Sequence, residues 1–426
     1  MNQAIDASVV TSVRAWEALD SRGRPTVACA VELADGRCGR VVVPSGASTG
    51  TYEAVELRDG GPRYGGYGVR KAVANVNAVL GPAVIGRDAA DQRDVDTYLR
   101  DLDGTDTLSR LGANAVLAVS LAVWSAASDG TISESTQPVG LPLPMFNIIS
   151  GGAHARGGID VQDLLVIPIG AQSVADAVEW GWRVRRATEE VASARGLTAG
   201  LVADEGGLGP VLRKNRDALN LLVDGIQASG LAPGVDVAMA IDVAATQLAD
   251  DDGYWLRCED RRLDPQEWLA VLLEWIDAYP ICSVEDPFSD DDWESWAELT
   301  KAVGDRIQII GDDLFVTHHA RLERGIAEQA ANSVLVKPNQ VGTVTDAATV
   351  VETAHAHGVR TVVSARSGDT EDVWLTDLAV RWQAGQLKVG SLTRSERTAK
   401  WNRLLELEAD PDIDTALRRW ETIQRR

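Results

Sequence analysis

The feature that most constrains the fold is a repeat of short apolar runs between residues 237 and 390, each followed by a charged residue. The runs are rich in Val and Ile without strict alternation, which is typical of strands buried on both faces. Intervals of about 20 to 40 residues leave room for the helix that joins two parallel strands. The pattern therefore predicts a (β/α) barrel. The runs and their charged residues are 237–241 with Asp242, 281–284 with Glu285, 307–310 with Asp312, 333–336 with Lys337, 361–364 with Arg366, and 386–387 with Lys388.

Three of these charged residues are carboxylates: Asp242, Glu285 and Asp312. Any one of them alone is more often a helix cap or a solvated loop residue. In a barrel, however, the C-terminal ends of the strands meet at one mouth, where three carboxylates repel one another unless a cation lies between them. Oxygen ligands favour a hard ion, so we predict Mg²⁺, with Mn²⁺ as the alternative.

Two lysines, Lys337 and Lys388, follow later strands and are expected beside the same cation. Positive neighbours lower the pKa of an ammonium group and can make lysine a general base. A cation next to such a lysine suits the removal of a proton α to a carboxylate, because the cation holds the enolate charge. The sequence thus predicts an enzyme that forms an enolate.

The length of 426 residues and a hydrophobic content of 45% suit a barrel together with a second unit. Residues 1–140 place a hairpin around 34–37 before three amphipathic stretches at 69–80, 90–102 and 113–127, which predicts an α+β domain. The small-residue segment 44–50 has the composition of a mobile loop over the active site. Residues 141–426 are predicted to form the barrel.

The net charge of −22 disfavours nucleic acid and anionic membranes as partners. No apolar run approaches the length of a membrane span, and the first residues lack the pattern of a signal peptide. A cytoplasmic protein is expected. An anionic substrate would need local metal and arginine to offset the overall field.

Two further segments carry candidate groups. His154 lies in a glycine-rich loop, where a lone histidine is more often structural or solvated than functional. Asp204 and Glu205 precede two glycines, which let the backbone approach a ligand closely, although an ordinary acidic turn is the alternative. The functional interpretation gains weight because Glu205 would supply an acid opposite a lysine base.

The chain resembles the enolase family over nearly its whole length. The resemblance implies an enolase-type (β/α)₈ barrel of the α/β class with an N-terminal α+β capping domain, antiparallel pairing among the first barrel strands, and a homodimer or octamer. The motifs that carry it lie at residues 19–23, 44–50, 111–114, 204–207, 283–286, 311–317, 337–340, 367–372 and 394–397.

The resemblance also implies roles for individual residues and two Mg²⁺ ions per site when substrate is bound. The matching positions are Asp242, Glu285 and Asp312 for the first Mg²⁺, Ser48 for the second, Lys337 for the base, Glu205 for the acid at the leaving hydroxyl, Asp163 as its partner, Gln162 for contact with the substrate, Lys388 for the substrate carboxylate, Arg366 and Ser367 for the phosphate, and His154 for the active-site loop.

The chain departs from the family pattern at the hydroxyl-leaving side. Ala365 stands where the family has a histidine, and Asp163 stands where it has a glutamate. Arg156 replaces a neutral or acidic residue and would suit an additional anion. Pro338 follows the base lysine in place of an aliphatic residue. The metal, phosphate and base side is retained.

These departures favour a diverged enolase that resembles carboxyphosphonoenolpyruvate synthase of phosphinate antibiotic pathways. Such an enzyme takes a small phosphorylated carboxylate and a second, activated phosphonate substrate. The first alternative is a glycolytic enolase that tolerates both changes. The second is a non-catalytic binding protein, which the retained carboxylates and Lys337 argue against.

Overall fold

The computed structural model describes residues 7–46, 50–128, 139–198 and 200–420. Ser48, the predicted ligand of a second Mg²⁺, lies outside the described residues, as does the centre of the loop at 44–50.

The N-terminal region contains a three-stranded antiparallel sheet in the order β1-β2-β3. Its strands are β1 Val10–Leu19, β2 Pro25–Leu33 and β3 Cys38–Val42. The predicted hairpin is confirmed: β2 and β3 pair antiparallel, and Gly36 adopts a φ of 91° in the turn, a conformation that favours glycine. Strand β1 was not predicted.

The three predicted helical stretches of this region are present. The first is a nearly continuous helix made of α1 Arg70–Asn75, a π-helical turn at Val76–Leu80, and α2 Gly81–Val84; the others are α3 Gln92–Asp103 and α4 Ala113–Ser128. Helix α4 is buried along most of its length and packs against β2 and β3. Gly39 permits this close approach, because a Cβ atom there would lie 2.1 Å from the Ala122 carbonyl oxygen.

The second region is a closed eight-stranded barrel, with strands in the order β5-β6-β7-β11-β12-β13-β14-β15. Its strands and the smaller ones beside it are β4 Val139–Leu141, β5 Leu143–Ser150, β6 Asp163–Ile167, β7 Ala238–Asp242, β8 Ala249–Asp250, β9 Gly253–Leu256, β10 Arg261–Leu263, β11 Ile281–Glu285, β12 Gln308–Gly311, β13 Ser333–Val336, β14 Arg360–Ser364, β15 Gln386–Lys388 and β16 Thr415–Leu417.

Eight helices accompany the barrel in the described part of the chain. They are α5 Val174–Ala194, α6 Asn215–Ala228, α7 Pro265–Ala278, α8 Trp293–Val303, α9 His319–Glu328, α10 Val344–Ala356, α11 Trp374–Arg381 and α12 Ser395–Ala409. None of the helices among the described residues has the length and apolar character needed to cross a membrane.

The predicted barrel is confirmed, and all six apolar runs are strands of it: β7, β11, β12, β13, β14 and β15. Strands β5 and β6 pair antiparallel, as do β6 and β7, while the other neighbours are parallel. This is the mixed pairing that the enolase resemblance implied. The register pairs Glu285 with Asp242, which places both carboxylates at the same height of the barrel.

The N-terminal region contacts the barrel through its loops. Ser45 and Gly368 exchange two backbone hydrogen bonds of 2.8 and 3.0 Å, and the Ala54 amide donates to the Gln340 carbonyl at 2.8 Å. The segment on either side of residues 47–49 is therefore anchored to loops that follow β13 and β14.

Candidate active site

One cavity lies where the strands of the barrel end and brings most of the predicted site residues together. Those that line it are His154, Gln162, Glu205, Asp242, Asp312, Lys337, Arg366, Ser367 and Lys388. Asp163 and Glu285 are buried close by and contact residues of this set. Arg156 is exposed, adopts a φ of 54°, and does not line the cavity. The sequence placed it near the substrate because it shares a loop with His154.

The lysine after β15 joins two of the three predicted metal ligands. Lys388 Nζ lies 2.8 Å from Asp242 Oδ2 and 2.7 Å from Glu285 Oε2, and all three side chains are buried. Burial and the neighbouring Asp242 raise the pKa of Glu285 well above its usual value, and these carboxylates raise the pKa of Lys388 despite its burial. The ion pairs offset a clustering of charge that would otherwise be costly.

Glu285 Oε1 is buried and has no hydrogen-bond partner among the described residues. A buried, unpartnered carboxylate oxygen close to other carboxylates fits a site for a hard cation. The third predicted ligand, Asp312, lies with Asp286 and Asp313 in a group whose ligand atoms are within 4.8 Å of one another. The assignment of Asp242, Glu285 and Asp312 as joint metal ligands stays a prediction.

Lys337 forms an ion pair with Asp312, 2.5 Å from Nζ to Oδ2. Its backbone amide donates to Thr317 Oγ1 at 2.9 Å, which fixes the strand end, and Pro338 starts the short helix that follows. The sequence predicted a lowered pKa for this lysine. In the structure burial works in that direction, but Asp312 outweighs it and the pKa of Lys337 is raised.

The arginine after β14 is held by a carboxylate of the N-terminal region. Arg366 Nη1 donates to Glu53 Oε2 at 3.0 Å, and both side chains are buried. Arg397 donates to the carbonyls of Arg366 and Ser367 at 2.7 Å each, which fixes the backbone of the two predicted phosphate contacts. Sequence reasoning missed Glu53; its only signal was a carboxylate three residues after the loop at 44–50.

A second missed residue is Asp286, directly after β11. Its two carboxylate oxygens accept the amides of Asp312 and Asp313, both at 2.8 Å. Asp286 has a φ of 42°, an uncommon backbone conformation for a non-glycine residue at a position that fixes the loop of Asp312. The only signal in the sequence is that Asp286 belongs to the motif at 283–286, which does not reveal that its carboxylate holds backbone amides.

Two glutamine side chains, hydrogen-bonded in series, position the predicted metal ligand Asp242. Gln247 Nε2 donates to Gln162 Oε1 at 2.9 Å, and Gln162 Nε2 donates to Asp242 Oδ2 at 3.2 Å. Gln162 therefore orients Asp242. Sequence reasoning placed Gln162 at the substrate and did not single out Gln247.

The hydroxyl-leaving side contains His154 between two carboxylates. His154 Nδ1 lies 2.8 Å from Asp163 Oδ2, and its Nε2 lies 3.7 Å from Glu205 Oε1. Burial alone would lower the pKa of His154, but Asp163 and Glu205 raise it to about 9. Asp163 contacts His154 rather than Glu205, so the shortened side chain still has a partner.

The same cluster sets the charge of Glu205. Burial opposes ionisation of Glu205, but His154 and then Arg397 outweigh it and lower the pKa of this carboxyl group. Near neutral pH the dissociable proton at this end of the cavity therefore lies on His154, whereas the sequence placed it on Glu205. Ala365 also lines this cavity and contributes only a methyl group.

The fold and the cavity define a class of enzymes: capped barrels with buried carboxylates, lysines and an arginine at the barrel mouth. Comparisons with known proteins show the family. The family descriptions "Enolase, N-terminal domain" and "Enolase, C-terminal TIM barrel domain" match residues 10–134 and 138–416. The chain is also similar to a protein named Enolase from Mycobacteroides abscessus, with 51% identity over 407 residues, which cover 94% of each chain. The chain belongs to the enolase family of lyases.

Proposed function

We propose that this chain interconverts 2-phosphoglycerate and phosphoenolpyruvate with loss or gain of water. The observation that carries the proposal is a single cavity that holds Lys337 beside a carboxylate cluster, Arg366 beside Ser367, and His154 beside Glu205. The similarity to a protein named Enolase supports the same reaction and favours it over the phosphonate interpretation of the sequence.

The carboxylate cluster is proposed to hold Mg²⁺, with Asp242, Glu285 and Asp312 as ligands and Ser48 as a ligand of a second ion. The unpartnered Glu285 Oε1 supports this fit. Bound Mg²⁺ would stabilise the negative charge that develops on the substrate carboxylate when the C2 proton leaves.

Lys337 is proposed to remove the C2 proton. In the ion pair already described Lys337 is an ammonium group, so it must lose its proton before it can act as a base. Mg²⁺ held by Asp312 would offset the charge of that carboxylate and favour the neutral amine that takes the C2 proton. Lys388 is proposed to contact the substrate carboxylate, and Arg366 with Ser367 the phosphate. Arg366 already forms an ion pair with Glu53, so the guanidinium is oriented before any ligand binds.

The third step is the loss of the C3 hydroxyl. We assign the proton donated to it to His154, with Glu205 and Asp163 raising the pKa of the imidazole and fixing its orientation. The proposal thus moves the acid from Glu205 to His154, because Glu205 is the ionised member of the pair.

We expect His154→Gln to slow dehydration by a factor of about 10² to 10⁴, the usual contribution of general acid catalysis, while exchange of the C2 proton is less affected. In the unmodified protein, dehydration should fall as the pH rises through about 9, where His154 loses its proton. Rates of phosphoenolpyruvate formation between pH 6 and pH 10 measure this. An unchanged high-pH limb in His154→Gln would assign the limb to another group.

The raised pKa of His154 also makes the stability of the folded chain depend on pH. The folded pKa of about 9 exceeds the unfolded value of 6.5, so the protonated histidine stabilises the folded chain. The contribution is fully present below pH 6.5 and is lost as the pH rises to about 9. His319→Gln is a suitable control, because His319 is partly exposed and lies outside the cavity at the start of α9.

A second candidate is the related reaction with an activated phosphonate, as in carboxyphosphonoenolpyruvate synthase. The observation in its favour is that Ala365 leaves a methyl group where the family has a histidine, while Asp163 is used to hold His154. If the natural leaving group is not plain hydroxide, one acid fewer is needed on that side.

The double substitution Ala365→His with Asp163→Glu separates the two candidates. If the second candidate holds, we expect it to raise dehydration of 2-phosphoglycerate by about tenfold or more, since a restored acid contributes 10² to 10⁴ at best. If the chain is an ordinary enolase, the change should bring no gain, because His154 already supplies the proton. The two positions are tested together, since neighbouring groups couple.

Family membership also supports a proposal about assembly and location. We propose a homodimer or octamer in the cytoplasm with a small phosphorylated carboxylate as substrate. Formation of phosphoenolpyruvate from 2-phosphoglycerate in the presence of Mg²⁺, with and without an activated phosphonoformate, tests the function. Product only in the presence of the phosphonate would favour the second candidate.

A further inference from the structure

A second cavity, of about 540 Å³, lies at the opposite end of the barrel from the candidate active site. It is bounded by the residues that precede β14 and β15, by Gly140 of β4, and by residues 416–419 at and after β16. Its volume falls within the usual range of sites for small molecules, roughly 300 to 1,000 Å³.

The charged side chains that line this cavity are all basic. Among the described residues they are Arg360, Arg418 and Arg419, with His355 beside them and no Asp or Glu. In a chain with a net charge of −22, a cavity of this composition is a local reversal of sign. Such a reversal attracts anions.

Arg360 supplies the strongest observation. Its Nε and Nη1 atoms are buried and have no hydrogen-bond partner among the described residues. Burial lowers the pKa of this guanidinium, which means that its positive charge is poorly solvated. A guanidinium charge that is poorly solvated in this way is unfavourable, and an anion in the adjoining cavity would stabilise it electrostatically.

The other two arginines are positioned by contacts with the backbone. Arg418 lies against Gly140, where a Cβ atom would come within 2.9 Å of its Nε, and its amide donates to the Leu141 carbonyl at 2.9 Å. Arg419 Nη1 donates to the Ala171 carbonyl at 2.9 Å. Three arginines, one from the start of β14 and two from the chain after β16, thus line one cavity.

We propose that this cavity binds a small phosphate-bearing anion, at a site separate from the candidate active site. The guanidinium group presents paired N–H donors that match the oxygens of a phosphate, and several arginines together suit a dianion. The proposal does not depend on the reaction catalysed at the other end of the barrel, and its test uses no substrate of that reaction.

The experiment is a calorimetric titration of the full chain with inorganic phosphate in the presence of a chelator. We expect binding that Arg360→Gln and Arg418→Gln each weaken by about tenfold or more, the loss expected for one charge-assisted contact. Arg381→Gln is the matched control, because Arg381 is an exposed arginine of α11 that does not line the cavity. It should bind phosphate as the unmodified chain does.

A further variant separates the two cavities. Phosphate binding that Arg366→Gln abolishes and Arg360→Gln leaves intact belongs to the active site and overturns the proposal, as does an absence of binding. If the Arg360 and Arg418 variants fold poorly, a crystal structure of the unmodified protein with phosphate decides. An ion within hydrogen-bond distance of Arg360 supports the proposal, and an empty cavity overturns it.

Discussion

The Lys337→Ala variant is expected to lose exchange of the C2 proton of 2-phosphoglycerate into deuterated water, by a factor of about 10² to 10⁴ or more. The reason is the position of Lys337 directly after β13, where its amine lies in the candidate active site beside Asp312, a predicted ligand of Mg²⁺. Proton exchange reports this step directly, because it does not require loss of the hydroxyl group.

The control is Lys301→Ala, since Lys301 is exposed in α8 and does not line the cavity. It should exchange the C2 proton at the unmodified rate. Exchange in Lys337→Ala at that same rate would assign the base to another residue. Because Asp312 loses its partner in Lys337→Ala, melting curves should accompany the kinetics to show that the variant is folded.

Removal of divalent metal is the second change with a large expected effect. We expect a chelator to abolish both proton exchange and phosphoenolpyruvate formation, because without the cation the enolate charge is not stabilised. Added Mg²⁺ should restore both activities. Mg²⁺ should also raise the melting temperature of the unmodified chain, as any ligand that binds only the folded state does. This second measurement is independent of activity.

Glu285→Gln tests which residues hold the ion. Its carboxylate carries the unpartnered Oε1 atom and should be a direct ligand, so the variant should need about tenfold more Mg²⁺ or more for the same stabilisation. Glu294→Gln, at an exposed position of α8, is the matched control. Equal Mg²⁺ dependence of the two variants, or full activity in a chelated sample, would contradict the metal assignment.

The barrel strands could be predicted because each apolar run ends in a charged residue, and burial on both faces leaves few alternatives to a strand at that spacing. Strand β1 was missed because only part of it is buried; it lies at the edge of its sheet and alternates with polar residues such as Ser12 and Arg14. An edge strand depends on its partner more than on its own sequence.

The site was predictable to the extent that its residues follow strands. Glu53 comes from the N-terminal region and meets Arg366 only in the folded chain, across more than 300 residues of sequence. Asp286 was overlooked because its role is to hold backbone amides, which no side-chain pattern reveals. Arg156 was placed near the substrate by its neighbours in sequence, but its loop turns it outward.

The pKa shifts of the site residues could not be predicted from the sequence alone. A lysine near other cations is expected to have a lowered pKa, but the outcome depends on which neighbour is closest, and Asp312 is in direct contact with Lys337. The same holds for His154, whose two carboxylate neighbours come from different parts of the chain. Distances decide such balances of charge, and the sequence does not contain them.

The most direct test of the account is the turnover of 2-phosphoglycerate by the unmodified protein with Mg²⁺, measured together with exchange of the C2 proton in the same sample. The account predicts phosphoenolpyruvate formation at about 10 per second, a median enzyme rate, with exchange no slower than product formation. Proton exchange with dehydration slower by a factor of about 10² or more would contradict the assignment of His154 as a sufficient acid and would turn the function towards the phosphonate reaction.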